Sequence, residues 1–254
     1  MSTIKRIVLQ GHSLGTQDQL LRPDQANPRP CIFLLSPANA SGPRAKQLFS
    51  PRSQFDLPQR LRLSGAPLGE VFSFISGLYF RGKLTYAKKF ASSSPQHTIR
   101  VITPAAGLLP PSTIVTLETL REITSGSVDP QLPTYRVPLD RDARELHRSL
   151  HCDVQVVLLG SIATTKYVQP LLEIFGERLV FPAEFVGRGD MSRGGLLLRA
   201  SSCGTPLNYV LLSGAQLTGS RPAKLKKLTG KKTKPKKGRE KRSRAAAQPP
   251  QFRK

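Results

Sequence analysis

The sequence predicts an α/β fold, a single domain with a mostly parallel sheet flanked by helices, followed by a basic C-terminal segment. Three observations carry this. Short continuous apolar runs recur along the chain, as strands buried on both faces require. Segments with helical spacing of apolar residues alternate with those runs. The composition then breaks sharply at Arg221. The expected organisation is a weakly ordered leader over 1–29, the α/β domain over 30–220, and a Lys/Arg-rich tail over 221–254.

The leader is polar and ends near Pro23, Pro28 and Pro30. Its apolar patch, Ile7 to Leu9, falls short of the 7–15-residue apolar core of a secretory signal. CIFLL at 31–35 reads as the first strand. SPANASG after it is a turn, and a helix begins at Arg44. Residues 50–65 read as irregular. One long helix is expected from Leu68 to Ala91, because Ile75, Tyr79, Gly82, Tyr86 and Phe90 share a face while Arg81, Lys83, Lys88 and Lys89 lie off it. TIRVIT at 98–103 is a strand, followed by the loop PAAGLLPPS. Residues 112–139 read as Pro- and Thr-rich, with a short helix at Leu117 to Ile123. Asp140 to Leu150 reads as a helix capped by Asp140. DVQVVLL at 153–159 is the strongest strand. A helix through VQPLLEIF ends at Gly176. Leu179–Phe181 and Leu207–Leu212 supply the last strands.

In parallel sheets, ligands bind at the carboxyl ends of the strands. Four loops qualify: Ser36–Arg44, Thr103–Leu109, Gly160–Lys166 and Pro182–Gly195. The last contains GRGDMSRGG, with four glycines and two arginines in nine residues. Glycine-rich turns expose successive N–H groups to anions, and arginine adds forked donors for phosphate. The ligand- or phosphate-binding candidates are therefore Asn39, Arg44, Ser161, Lys166, Gly187, Arg188, Gly189, Asp190, Ser192 and Arg193. The alternative for each loop is a capped turn with solvated arginines. Ser161, Thr164 and Thr165 can equally cap the next helix, since GSIATTKY lacks P-loop spacing. Tyr79, Phe80, Arg81 and Lys83 interleave aromatic and basic groups as base-stacking surfaces do, although Tyr79 also fits a core position.

Neither a reaction nor a cofactor is assigned. His147 and His151 are four apart beside Cys152, but no second cluster completes a metal site. Cys31, Cys152 and Cys203 form no CxxC and suggest a reducing compartment. No GxSxG elbow and no carboxylate pair stands out. The isolated acids Glu70, Asp153, Glu184 and Asp190 are the available proton carriers. No apolar stretch approaches the ~18 residues of a membrane span.

The tail holds 15 basic residues and one acid, a net +14 of the chain's +23, leaving 24 basic and 15 acidic residues (+9) before it. Such a segment cannot bury enough apolar surface to order itself, and it seeks polyanions. Lys226, Lys227, Lys231, Lys232, Lys234, Lys236, Lys237, Arg239, Lys241, Arg242 and Arg244 are its expected phosphate contacts.

The stretches SPANASGPRA (36–45), GEVFSFISGLYFRGKLTYAKKFA (69–91), VITPAAGLLPP (101–111) and LLGSIATTKYVQPLLEIFGERLVFPAEFVGRGDMSRGGLLLR (158–199) resemble an uncharacterised family of bacterial cytoplasmic proteins. The likeness spans roughly 30–212 and leaves out the tail. It implies a bacterial cytoplasmic protein, with attachment to the nucleoid as a further expectation. A fainter likeness runs to unknown-function domains of phage-borne and nucleobase-modification proteins, whose fold is similar to a uracil-DNA-glycosylase-type α/β layer. The glycosylase water-activating and histidine motifs are absent, so the resemblance implies a fold class rather than base excision.

The expected function is nucleic-acid association. The tail would bind the phosphate backbone of DNA or RNA, and the body would hold a nucleotide- or phosphate-sized pocket. The alternatives are an enzyme acting on a nucleotide, nucleoside or nucleobase, and a ribosome- or nucleoid-attached accessory protein without a pocket function. No membrane partner is expected.

Overall fold

The computed structural model of the protein describes residues 29–91 and 98–225. The chain divides into two units, Met1–Ala223 and Lys224–Lys254. The expectations for leader residues 1–28 and tail residues 226–254 lie outside the described residues.

The larger unit is α/β. Its strands are β1 (Cys31–Leu35), β2 (Ala66–Pro67), β3 (Ile99–Ile102), β4 (Leu108–Leu109), β5 (Ile114–Val115), β6 (Gln155–Leu159), β7 (Leu179–Pro182) and β8 (Tyr209–Leu211). The main sheet runs β4-β3-β1-β6-β7-β8. The four inner strands are parallel, and β4 and β8 close the edges antiparallel. Register is fixed at the centre, where Phe33 faces Ile99 on one side and Val157 on the other. Phe33, Leu34 and Leu35 are fully buried, as both faces of a covered parallel strand must be. β2 and β5 form a separate two-stranded ribbon.

The helices are α1 (Pro43–Phe49), α2 (Asp56–Leu63), α3 (Leu68–Ser76), α4 (Leu78–Phe90), α5 (Leu117–Thr124), α6 (Pro133–Ser149), α7 (Thr165–Phe175) and α8 (Asp190–Cys203). The right-handed rule for parallel crossovers places α3 and α4, before β3, and α6 and α7, between β3 and β7, on opposite faces of the sheet, whereas α5 packs on α2 and Arg121 stacks on Phe49 of α1. Accordingly α4 packs on β1 and on α8, while α6 packs on α7.

Four expectations need correction. The helix expected over 68–91 is two helices, broken at Gly77. That residue sits at φ +62°, and a Cβ there would lie 2.4 Å from Arg44 Nη1. The apolar stripe keeps phase across the break, which hides it from periodicity. Residues 50–65 are not irregular throughout. Asp56 pairs with Arg60 at 2.8 Å, and α2 buries Leu57 and Leu61. The helix before β6 begins at Pro133, not at Asp140. Proline suits its first position, Pro138 is carried inside it, and Asp140 pairs with Arg136 at 2.6 Å instead of capping. The Pro182–Gly195 loop is short, because Asp190 already begins α8.

Candidate functional site

The first parallel strand in the chain, β1, lies between β3 and β6. The connection after β1 leads to β3 on one side, and the connection after β6 leads to β7 on the other. The loops that follow β1 and β6 therefore part, and this switch point is where doubly wound sheets hold ligands. A cavity of about 580 Å³ opens there. Ser36, Asn39 and Ser41 reach it from the loop after β1, Pro104 from the loop after β3, Ser161 from the loop after β6, and Asp190 from the start of α8 after β7. Tyr79 of α4 and Lys166 and Tyr167 of α7 complete the polar and aromatic lining. The volume is that of a small-molecule site.

Ser36 directly follows β1, and its N–H donates to Leu159 O at 3.1 Å. Behind it stands Lys83, 1 % exposed. Lys83 Nζ donates to the Ser36 carbonyl at 2.5 Å and lies 2.8 Å from Ser36 Oγ. The amine also sits 4.5 Å and 4.9 Å from the ring centroids of Tyr79 and Phe80. Loss of hydration pushes the Lys83 amine down to about 7, partly opposed by the charge of Asp190.

Arg193 of α8 is the second buried cation, 5 % exposed. Its guanidinium donates to Phe185 O at 3.1 and 3.3 Å and to Gly160 O at 3.5 Å. Its nearest carboxylate is Asp190 at 3.9 Å, whose own side chain is 68 % exposed. The Tyr79 hydroxyl is buried beside the Arg193 guanidinium and makes no hydrogen bond of good geometry. Burial, offset in part by Arg193, raises its ionisation well above the usual tyrosine value.

Backbone contact between two helices makes this burial unavoidable. A Cβ on Gly82 would lie 2.8 Å from Gly194 O, and one on Gly194 would lie 2.9 Å from Leu78 O and Tyr79 Cα. α4 and α8 therefore touch main chain to main chain, with Lys83 and Arg193 flanking the contact.

Of the residues singled out in the sequence, Asn39, Ser161, Lys166 and Asp190 come together around the cavity. Asn39 Oδ1 also accepts from the Ser41 N–H at 3.0 Å and the Ser41 hydroxyl at 2.6 Å, so it shapes the turn as well as lining the site. Arg44 instead donates to Phe74 O at 3.3 Å. Arg188 donates to Glu184 O at 3.0 Å and Ser192 Oγ at 3.2 Å, which fastens the start of α8. Gly187 lies against Ser220 O, at a φ of +69°. Gly189 is the N-cap of α8, and Arg193 turns inward to the carbonyls described above. The GRGDMSRGG stretch thus splits into a three-residue turn and a helix whose Gly194 serves packing.

Ser36, Lys83 and Tyr79 are the site residues that sequence reasoning undervalued. Lys83 reads as an off-stripe basic residue in a run that interleaves aromatic and basic groups, and it lies four residues after Tyr79 and beside Gly82. A glycine on an apolar stripe signals that a neighbouring helix comes close, and a flanking lysine then loses its water. His151 Nδ1 lies 2.7 Å from Asp153 Oδ1 and 3.7 Å from Cys152 Sγ, but among the described residues no group of three His, Cys, Asp or Glu could hold a metal. No described helix is long and apolar enough to cross a membrane. No protein-family model, curated protein or solved structure matches the chain.

Proposed function

We propose that the chain binds a nucleoside or nucleotide in the switch-point cavity and associates with nucleic acid through its basic C-terminal segment. One observation carries the reading. Hydrogen-bonding groups from separate loops (Asn39, Ser161, Asp190), a cation (Lys166) and two tyrosine rings (Tyr79, Tyr167) converge on one cavity of about 580 Å³. Tyrosine faces suit stacking of a base. Asp190 suits a ribose hydroxyl, and Lys166 at the start of α7 suits a phosphate. The net +14 of residues 221–254 supplies sequence-independent attraction to the backbone.

Calorimetric titration of the full chain with a panel of nucleosides and nucleotides tests the pocket. At least one should bind below about 1 mM, and Lys166→Ala with Asp190→Ala should weaken it about tenfold or more. If no member of the panel binds, the pocket reading fails. Deleting residues 221–254 should abolish the salt-dependent affinity for DNA and RNA; unchanged affinity and salt slope would remove the tail from the function.

A further inference from the structure

The floor of the cavity carries a second chemistry. Ser36 lines the cavity, whereas Lys83, 2.8 Å behind its hydroxyl, does not. Ser36 thus forms part of the cavity wall, and the amine stands behind that wall. The amine spends one N–H on the Ser36 carbonyl. In its neutral form it keeps a lone pair for the Ser36 hydroxyl proton. Tyr79 lines the same cavity, with its hydroxyl buried beside Arg193.

We propose that Ser36 and Lys83 are a nucleophile–base pair for acyl transfer, acting on an ester or amide carried by the cavity's occupant. Lys83 Nζ takes the Ser36 proton as Oγ bonds to the acyl carbon, and the carbonyl electron pair moves to oxygen. Collapse of this intermediate breaks the bond to the leaving alcohol or amine, which receives the proton from Lys83. Water then attacks the acyl-serine, and Lys83 removes its proton and returns it to Ser36 Oγ as the carboxylic acid departs. The inference rests on the cavity being a ligand site and not on that ligand being a nucleotide.

An alkyl fluorophosphonate applied to the full chain tests it, with the adduct mapped by mass spectrometry. A single adduct is expected on Ser36 and none in Ser36→Ala. Lys83→Met should slow labelling about a hundredfold with an unchanged circular dichroism spectrum. In the unmodified chain the labelling rate should rise about tenfold per pH unit and level off above about 7. The charged groups around the amine are Asp190 and Arg193 of α8, and Asp190→Asn should shift that midpoint downward. Ser36 left unlabelled in a protein that still binds a nucleotide would overturn the dyad and leave the binding site standing. Absence of both labelling and binding would overturn both readings. A flat pH profile would remove Lys83 from the chemistry even if Ser36 reacts.

Discussion

The two helix pairs that cover the sheet solve the same problem in opposite ways. On the α6–α7 side, Arg136 reaches the surface and pairs with Asp140 at 2.6 Å and with Glu173. Side chains fill the space between the helices, and the charges meet partners in water. On the α4–α8 side, Gly82 and Gly194 bring two backbones into contact, and Lys83 and Arg193 are sealed behind them. Neither buried cation has a buried carboxylate. Both donate instead to carbonyls at or just after the ends of the parallel strands: Ser36 and Gly160 directly after β1 and β6, and Phe185 after β7. The sheet ladder no longer satisfies those carbonyls, so a close helix contact converts two cations into caps for strand ends. The cost is buried charge, which Lys83 lowers by giving up its proton near neutral pH.

Substitutions separate the two sides, beginning with the glycines. Gly194→Ala places a methyl 2.9 Å from main-chain atoms that cannot swing away. It should cost about 3 kcal/mol, read as a fall in urea midpoint with unchanged m. Gly82→Ala should behave alike, and the double variant should cost less than the sum, since one helix separation relieves both contacts. If either single change proves neutral, the backbone contact is not tight.

Stability against pH gives the next largest effect. The Lys83 amine falls from an unfolded value of 10.5 to about 7 in the fold. Between these values the unfolded chain binds the extra proton, so stability should rise with pH by up to about 1.4 kcal/mol per unit. The burden is fully present below about 7 and is relieved as pH climbs. Above about 9 the buried Cys31 thiol, pushed up to about 11 by burial, opposes the trend. The rise should therefore be read from pH 7 to 9 and should vanish in Lys83→Met.

Tyr79→Phe should raise stability by about 1 kcal/mol, because it deletes a buried hydroxyl that makes no hydrogen bond of good geometry and has the Arg193 guanidinium beside it. A loss of stability instead would mean that the hydroxyl is satisfied. Arg136→Ala, across the sheet, should cost no more than about 1 kcal/mol by thermal melt, since both its pairs are partly solvated.

These contrasts explain what could be read in advance. Runs such as CIFLL and QVVLL announce themselves because a strand covered on both faces must be continuously apolar. The four strand-end loops follow from that placement, and residues from all four line the cavity. Long-range events left weaker traces. The break at Gly77 preserves the apolar phase. Gly194 is indistinguishable from a loop glycine until Gly82 is known to face it. Lys83 looks like any off-stripe lysine until its helix is seen to be capped by another. Asp190 drew attention as part of a glycine-rich loop, yet it reaches the cavity because it starts a helix.

The α4–α8 contact also dictates when the protein can work. Gly82 meets Gly194, a partner 112 positions further on, and Ser36 meets its lysine only once α4 is docked. During synthesis β1, β3 and α4 emerge long before α8 exists to cover them, so Lys83 stays hydrated and protonated through most of translation. The cavity and its neutral amine are completed together, in the last quarter of the chain. On the proposed chemistry, a chain that lacks α8 would be silent at Ser36, whatever fraction of the sheet it has already built.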